Sequence, residues 1–144
     1  MVKLLAFIQA ILFLTILTIN ANEVSATQEN DELPQCVVVS HCVLENWEVS
    51  NANEVFKQAK ELVLNTPRTK IIESTDSFIK AEAKTKWMRY TDDLLIQALP
   101  DKSIIQVRSE SRVGIGDNGV NQKRVNDLAY RLMLPSFEKK SNSF

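Results

Sequence analysis

Glycine is almost missing from this chain, with three in 144 residues. All three fall within residues 114–119, so the rest of the backbone is built without the residue that adopts positive φ most readily. A Walker-type phosphate loop is excluded, because no Gly-Lys-Ser/Thr follows the cluster. Histidine is scarcer still: His41 is the only one. With Cys36 and Cys42 as the only cysteines, a zinc centre would lack a fourth ligand and suitable spacing, so no metal is expected. His41 and Cys42 are adjacent, and adjacent side chains rarely meet as a catalytic pair. Ser109 and Ser111 sit in no nucleophile-elbow pattern, so no residue is assigned a nucleophilic role. Neither sign of charge dominates either, with 17 basic and 18 acidic residues. That balance argues against nucleic acid, which calls for a concentrated basic surface.

A run long enough to span a membrane is also absent. Residues 4–19 are sixteen residues without a charge. As a helix they rise only ~24 Å, short of a ~30 Å hydrocarbon core. Met1-Val2-Lys3 precedes them, and Ala21 and Val24-Ser25-Ala26 follow. A basic start, an apolar centre and small residues at a cut make a secretory signal, cleaved after Ala21 or Ala26. The alternative is a retained anchor. Residues 1–26 are therefore read as signal and cleavage region, 27–34 as polar spacer, 35–135 as one domain and 136–144 as a flexible tail. Export to a periplasm, a thylakoid lumen or the extracellular space follows, with membrane attachment only if residues 4–19 stay. In that setting the even cysteine count permits a disulfide. Val37-Val38-Val39 favours extended backbone, so closure of Cys36 on Cys42 requires a reversal around Ser40-His41. Bridge and free thiols both stay open.

Periodicity supplies the elements. Val55, Phe56, Ala59, Leu62 and Val63 make one face of a helix over 51–65, with Asn51 and Glu54 in capping-box positions and Pro67 behind. Four strands are expected at 68–73, 78–84, 87 or 92 to 99, and 104–111. Short turns at 74–77 and 100–103 make them antiparallel neighbours. Residues 35–50, with Trp47, have room for one or two short strands. If 100–103 is the loop, Leu99 opposes Ile104 and Ile96 opposes Val107. Leu94, Ile96, Ala98, Ile105 and Val107 then share the core face, and Asp93, Leu95, Gln97, Gln106, Arg108 and Glu110 the other. Val125, Leu128, Ala129 and Leu132 mark a second helix over 121–134, stopped by Pro135. The expected fold is α+β, two-layered, with an antiparallel sheet of about four strands and two helices on one face, in the order α-β-β-β-β-α.

The glycine cluster reads G-x-G-x-x-G between a strand and a helix. A dinucleotide fingerprint belongs in the first βαβ unit of a parallel sheet, and no strand follows here to complete one. No cofactor is expected. Glycines at Gly114 and Gly119 suit the passage from strand to helix, and Asn121 is placed to cap that helix. Three arginines surround the turn. Arg108, Arg112 and Arg124 near a helix N-terminus would suit a carboxylate, sulfate or phosphate. Internal pairing is the plainer reading: Arg108 reaches Asp93 diagonally, and Arg112 reaches Asp92 or Glu110. Asp92 and Asp93 point to opposite faces and do not serve one substrate as a pair.

The block Val107-Arg108-Ser109, Ser111-Arg112, Gly114, Asp117, Gly119-Val120-Asn121 and Arg124 resembles the signature of the DUF1499 family, found in bacteria and plants. The departure is Gly116, where the family usually has serine, so the nucleotide-like pattern is coincidental. Asp92-Asp93 is similar to the family's paired aspartates, and Pro67-Arg68-Thr69 to the start of its first strand. Residues 78–83 are similar to its aromatic-led strand. The stretch from Leu33 through Cys42 and Trp47 resembles forms from photosynthetic lineages. The resemblance covers about 36–134. It implies a small α+β domain, often exported or membrane-tethered, and no established activity.

Together these readings point to a non-enzymatic binding or interaction module. Its charged site would comprise Arg108, Ser109, Ser111, Arg112, Gly114, Asp117, Gly119, Asn121 and Arg124, with Asp92, Asp93 and Arg108 in structural ion pairs. A small anionic ligand or a protein partner would bind there. The alternative is a hydrolase or isomerase acting on a small anionic substrate, with Asp93 or Asp117 as general base.

Overall fold

The computed structural model of the protein describes residues 32–114 and 116–134. The expected signal region, most of the spacer and the tail lie outside the described residues. The elements are β1 (Cys42–Glu48), α1 (Ala52–Leu64), β2 (Thr69–Ser74), β3 (Phe78–Lys84), β4 (Thr91–Leu99), β5 (Ile104–Ser111) and α2 (Val120–Arg131). A single 3-10 turn at Pro100–Lys102 joins β4 to β5. All strand pairs are antiparallel, in the order β1-β5-β4-β3-β2.

This is the expected α+β fold with one correction. The sheet has five strands, because residues 42–48 form a full edge strand along β5. Its alternation is hard to read because Glu45 lies in register with Val107 and so faces the helices beside Trp47. The Glu45 carboxylate is accommodated there by Trp47 Nε1 at 3.1 Å and Gln122 Nε2 of α2 at 2.8 Å. The β4–β5 register is as expected, with Ile96 opposite Val107 and Leu99 opposite Ile104. Residues 85–90 are a turn and not the start of β4: Thr85 N–H donates to Tyr90 O and Tyr90 N–H to Thr85 Oγ1, both at 2.9 Å.

The core lies between the sheet and both helices. Ile79, Ala81, Leu94, Ile96, Ile105 and Val107 are fully buried or nearly so against Phe56, Ala59 and Val63 of α1 and Val125 and Leu128 of α2. Helix α1 starts where Asn51 Oδ1 accepts the Glu54 N–H at 3.1 Å. It ends at Asn65, where the cap N–H returns to Glu61 O.

The opposite face is polar in sequence yet largely buried: Gln97, Gln106 and Arg108 have little exposure. Residues 32–36 lie over it. The Leu33 side chain is buried, its N–H donates to Gln106 Oε1 at 2.8 Å, and Glu32 pairs with Lys102. This end of the expected spacer is packed. A Cys36–Cys42 disulfide ties it to β1, with Cα atoms 5.6 Å apart. The required reversal is present, with His41 N–H donating to Val38 O.

Candidate functional site

Three elements deliver polar side chains to one buried point at the N-terminus of α2. β4 contributes Asp92, and β5 contributes Ser109 and Ser111 from alternate positions on the helix-facing side. α2 contributes Asn121 and Arg124, three residues apart and so neighbours on one helical face. Asp92, Ser109 and Asn121 are 0% exposed. In an apolar core such groups persist only if their hydrogen bonds are made.

They are made in a closed ring. Ser111 Oγ donates to Asp92 Oδ1 at 2.8 Å, and Arg124 Nη2 to Asp92 Oδ2 at 2.6 Å. Arg124 Nη1 donates to Ser109 Oγ at 2.8 Å and to Asn121 Oδ1 at 2.6 Å. Ser109 Oγ also donates to Asn121 Oδ1 at 2.6 Å. Asn121 Nδ2 donates to Ser111 Oγ and to His41 O, both at 3.0 Å. The amide of Asn121 thereby uses both donors and both acceptor positions. The expectation that Asn121 caps the helix is corrected. Its side chain points into the core, and Asp117 does the capping. Asp117 Oδ1 accepts the Gly119 N–H at 2.9 Å and Oδ2 the Asn121 N–H at 2.8 Å. The protein thus places a carboxylate of its own at the helix N-terminus.

The glycines divide as the resemblance implied. Gly114 and Gly119 have φ of +106° and +76°, a region that side chains rarely adopt. Gly116 shows no positive φ, and a Cβ there would meet Ser40 O at an ordinary 3.7 Å.

The arginines do not form one site. Arg124 lies on the helix side of the sheet, Arg108 and Arg112 on the other. Arg112 Nε and Nη2 bind the two oxygens of Asp93 at 3.0 and 2.7 Å, and Nη2 also reaches Glu82 Oε1 at 2.8 Å. Arg108 Nη2 pairs with Glu110 at 2.7 Å, while its buried Nε has no partner among the described residues. The pairing therefore differs from the expected one: Asp93 takes Arg112, Arg108 takes Glu110, and Asp92 takes Arg124.

Sequence reasoning missed Arg124 as the partner of Asp92, and Glu82 as the second partner of Arg112. The spacing of Asn121 and Arg124 on one helical face was the available signal for the first. Nothing local signals Glu82, which is brought alongside by the pairing of β3 with β4.

The hydrogen bonds from Arg112 hold the Asp93 carboxyl below its ordinary range, against some burial, and in turn push the Arg112 guanidinium further up. Burial alone would raise the Asp117 carboxyl. The backbone N–H groups of Asn121 and Gly119 outweigh it and leave the group lowered. Carboxylates held down in this way are weak general bases at neutral pH. A groove of about 610 Å³ lies at the far end of the sheet, lined by Glu48, Val55, Lys102, Ile104 and Met133, and contains no signature residue. Among the described residues, no cluster of three or more His, Cys, Asp or Glu is placed to hold a metal ion.

A profile of the DUF1499 family, proteins of unknown function, matches residues 14–132. The chain belongs to this family. The match begins well upstream of the 36–134 coverage that the resemblance suggested. No curated protein matches the chain. Most of the DUF1499 signature in this chain serves the junction of α2 with the sheet. Ser109, Ser111, Asn121 and Arg124 form the buried ring with Asp92, Asp117 caps the helix, and Gly114 and Gly119 set the backbone.

Proposed function

We propose that this DUF1499 domain is an exported, non-enzymatic interaction module. In this reading the charged turn at 108–124 is a latch that fixes α2 to the sheet, and recognition occurs on the loops the latch supports. The observation that carries it is the buried ring: each carboxylate oxygen of Asp92 takes an internal donor, and Asn121 uses both donors and both acceptor positions internally. Asp93 and Asp117, the two candidate bases, are likewise engaged by Arg112 and by backbone N–H groups. An enzyme would need one of them free in a cleft.

The recognition surface follows from what the latch holds in place. At the same end of the sheet lie the disulfide loop 37–41, the turn 85–90 and the glycine turn. Ser111 N–H donates to His41 O at 3.0 Å and Arg112 N–H to Thr91 O at 3.4 Å, joining the roots of all three. Export is supported by the Cys36–Cys42 disulfide and by the signal-like N-terminus. Among the described residues, no helix is long and apolar enough to cross a membrane.

Hydroxyl-radical footprinting in intact cells of the source organism, against the purified protein, tests this. Trp87 and Met88 should be protected from oxidation in the cell. Met133, exposed at the opposite end, should oxidise equally in both. Equal oxidation of Trp87 and Met88 in both settings would remove the loop end as a recognition surface.

A further inference from the structure

Among the described residues, most of the large apolar side chains that are exposed gather at the loop end. Trp87 is 83% exposed, Val37 88% and Val39 83%; Met88, Tyr90 and Val113 stand out of the neighbouring loops as well. The three loops leave β1, β5 and β4, which are successive strands of the sheet. Their roots therefore span only about 10 Å, twice the strand spacing. This is one apolar front, held by the disulfide on one side and the Thr85–Tyr90 hydrogen bonds on the other.

Its charge has one sign at the tip. The turn Thr85-Lys86-Trp87-Met88-Arg89-Tyr90 carries two cations and no acid. Among the described residues neither Lys86 nor Arg89 enters an ion pair. Lys86 Nζ lies 5.1 Å from the centre of the Trp87 ring. Arg89 turns the tip with a φ of +54°. Trp and Tyr flanked by Lys and Arg is the composition of side chains that settle at a bilayer surface. There the rings sit at headgroup level and the cations meet lipid phosphates. Side chains standing nearly clear of their own surface suit a fluid interface, which closes around them. A protein groove would instead need a matching relief.

We propose that this loop end docks peripherally on an anionic bilayer, with Trp87 and Met88 entering the interface and Lys86 and Arg89 meeting headgroup phosphates. The proposal rests on the reading of this end as the recognition surface and names what it recognises. A protein partner of acidic surface is the competing occupant, and the test separates the two.

Trp87 provides a local probe, because the other tryptophan, Trp47, is buried and residues 1–26 contain none. The processed protein, without residues 1–26 and with its disulfide intact, is mixed with vesicles of phosphatidylcholine containing phosphatidylglycerol, with and without lipids brominated on the acyl chain. Expected are a blue shift of Trp87 emission and quenching by the brominated chains, both suppressed by salt and at least tenfold weaker on pure phosphatidylcholine. Lys86→Ser/Arg89→Ser should weaken the interaction at least tenfold with an unchanged melting temperature, since both side chains are exposed. Trp87→Phe should abolish the signal while the remaining Trp47 emission stays constant. No quenching of the wild type, equal quenching on neutral vesicles, or full quenching in the Lys86→Ser/Arg89→Ser variant would overturn the proposal. Protection of Trp87 in cells without quenching on vesicles would also overturn it, leave the recognition surface standing and point to a protein partner. Absence of protection in cells would instead overturn the recognition reading itself.

Discussion

Replacing Arg124 by alanine tests the latch most directly. Asp92 is fully buried and its carboxylate has two donors, Ser111 Oγ and Arg124 Nη2. Arg124→Ala leaves that buried carboxylate with a single hydroxyl. Ser109 and Asn121 each lose one donor but keep each other, so they add little. Removing one partner of a buried ion pair costs about 3–5 kcal/mol. The Arg124 side chain is 18% exposed, so some water reaches the gap, which favours the lower end, about 3 kcal/mol. With urea m-values of about 1–3 kcal/mol/M, the midpoint should fall by roughly 1–3 M at unchanged m. Asp92→Asn should cost less, because the arginine left behind still reaches solvent. The double variant Asp92→Asn/Arg124→Ala removes both charges together and should cost less than the sum of the two single changes. Fluorescence of the buried Trp47 and far-UV circular dichroism would follow the transition. A loss below about 1 kcal/mol for Arg124→Ala, or a double variant showing the plain sum of its parts, would refute a coupled, buried latch.

Two further outcomes follow from the same geometry. The carboxyls of Asp93 and Asp117 are both lowered from 3.8. A group whose folded pKa lies below its unfolded value stabilises fully above the unfolded value, and that stability is lost as pH falls through the folded one. Urea midpoints should therefore hold from neutral pH to about pH 5 and drop below about pH 4, and Asp117→Asn should flatten the drop; equal acid slopes in both proteins would contradict the capping role. Gly119→Ala should destabilise by at least about 1 kcal/mol because of its φ, whereas Gly116→Ser should stay within about 0.5 kcal/mol. Thermal melts reversing that order would remove the division between required and incidental glycines.

How legible the chain was depended on the range of the forces involved. The β4–β5 register could be read because a short turn and alternating Leu94, Ile96, Ile105 and Val107 admit one pairing that buries them all. α1 was equally plain, since its apolar stripe and its Asn51 cap are local. β1 was not, because its partner lies some 60 residues away and its inward Glu45 is tolerated only once Gln122 and Trp47 surround it. The buried side of the polar face was hidden for a similar reason. Gln106 and Arg108 read as solvent-facing until residues 32–36 cross them.

The same division runs through the candidate site. Sequence alone determined its cast and its family: the serines, arginines and glycines of 107–124 are chemically distinctive and closely spaced, and spacing within one strand or helix sets which side chains share a face. Tertiary structure decided what those residues do. The sheet separates Arg108 and Arg112 from Arg124, and the packing of α2 carries Asn121 and Arg124 down onto Asp92. Internal pairing was the plainer reading along the chain, but only the fold selects the partners, Arg124 for Asp92 and Arg112 for Asp93, because charges removed from water are stable only when paired and the sheet decides which groups meet.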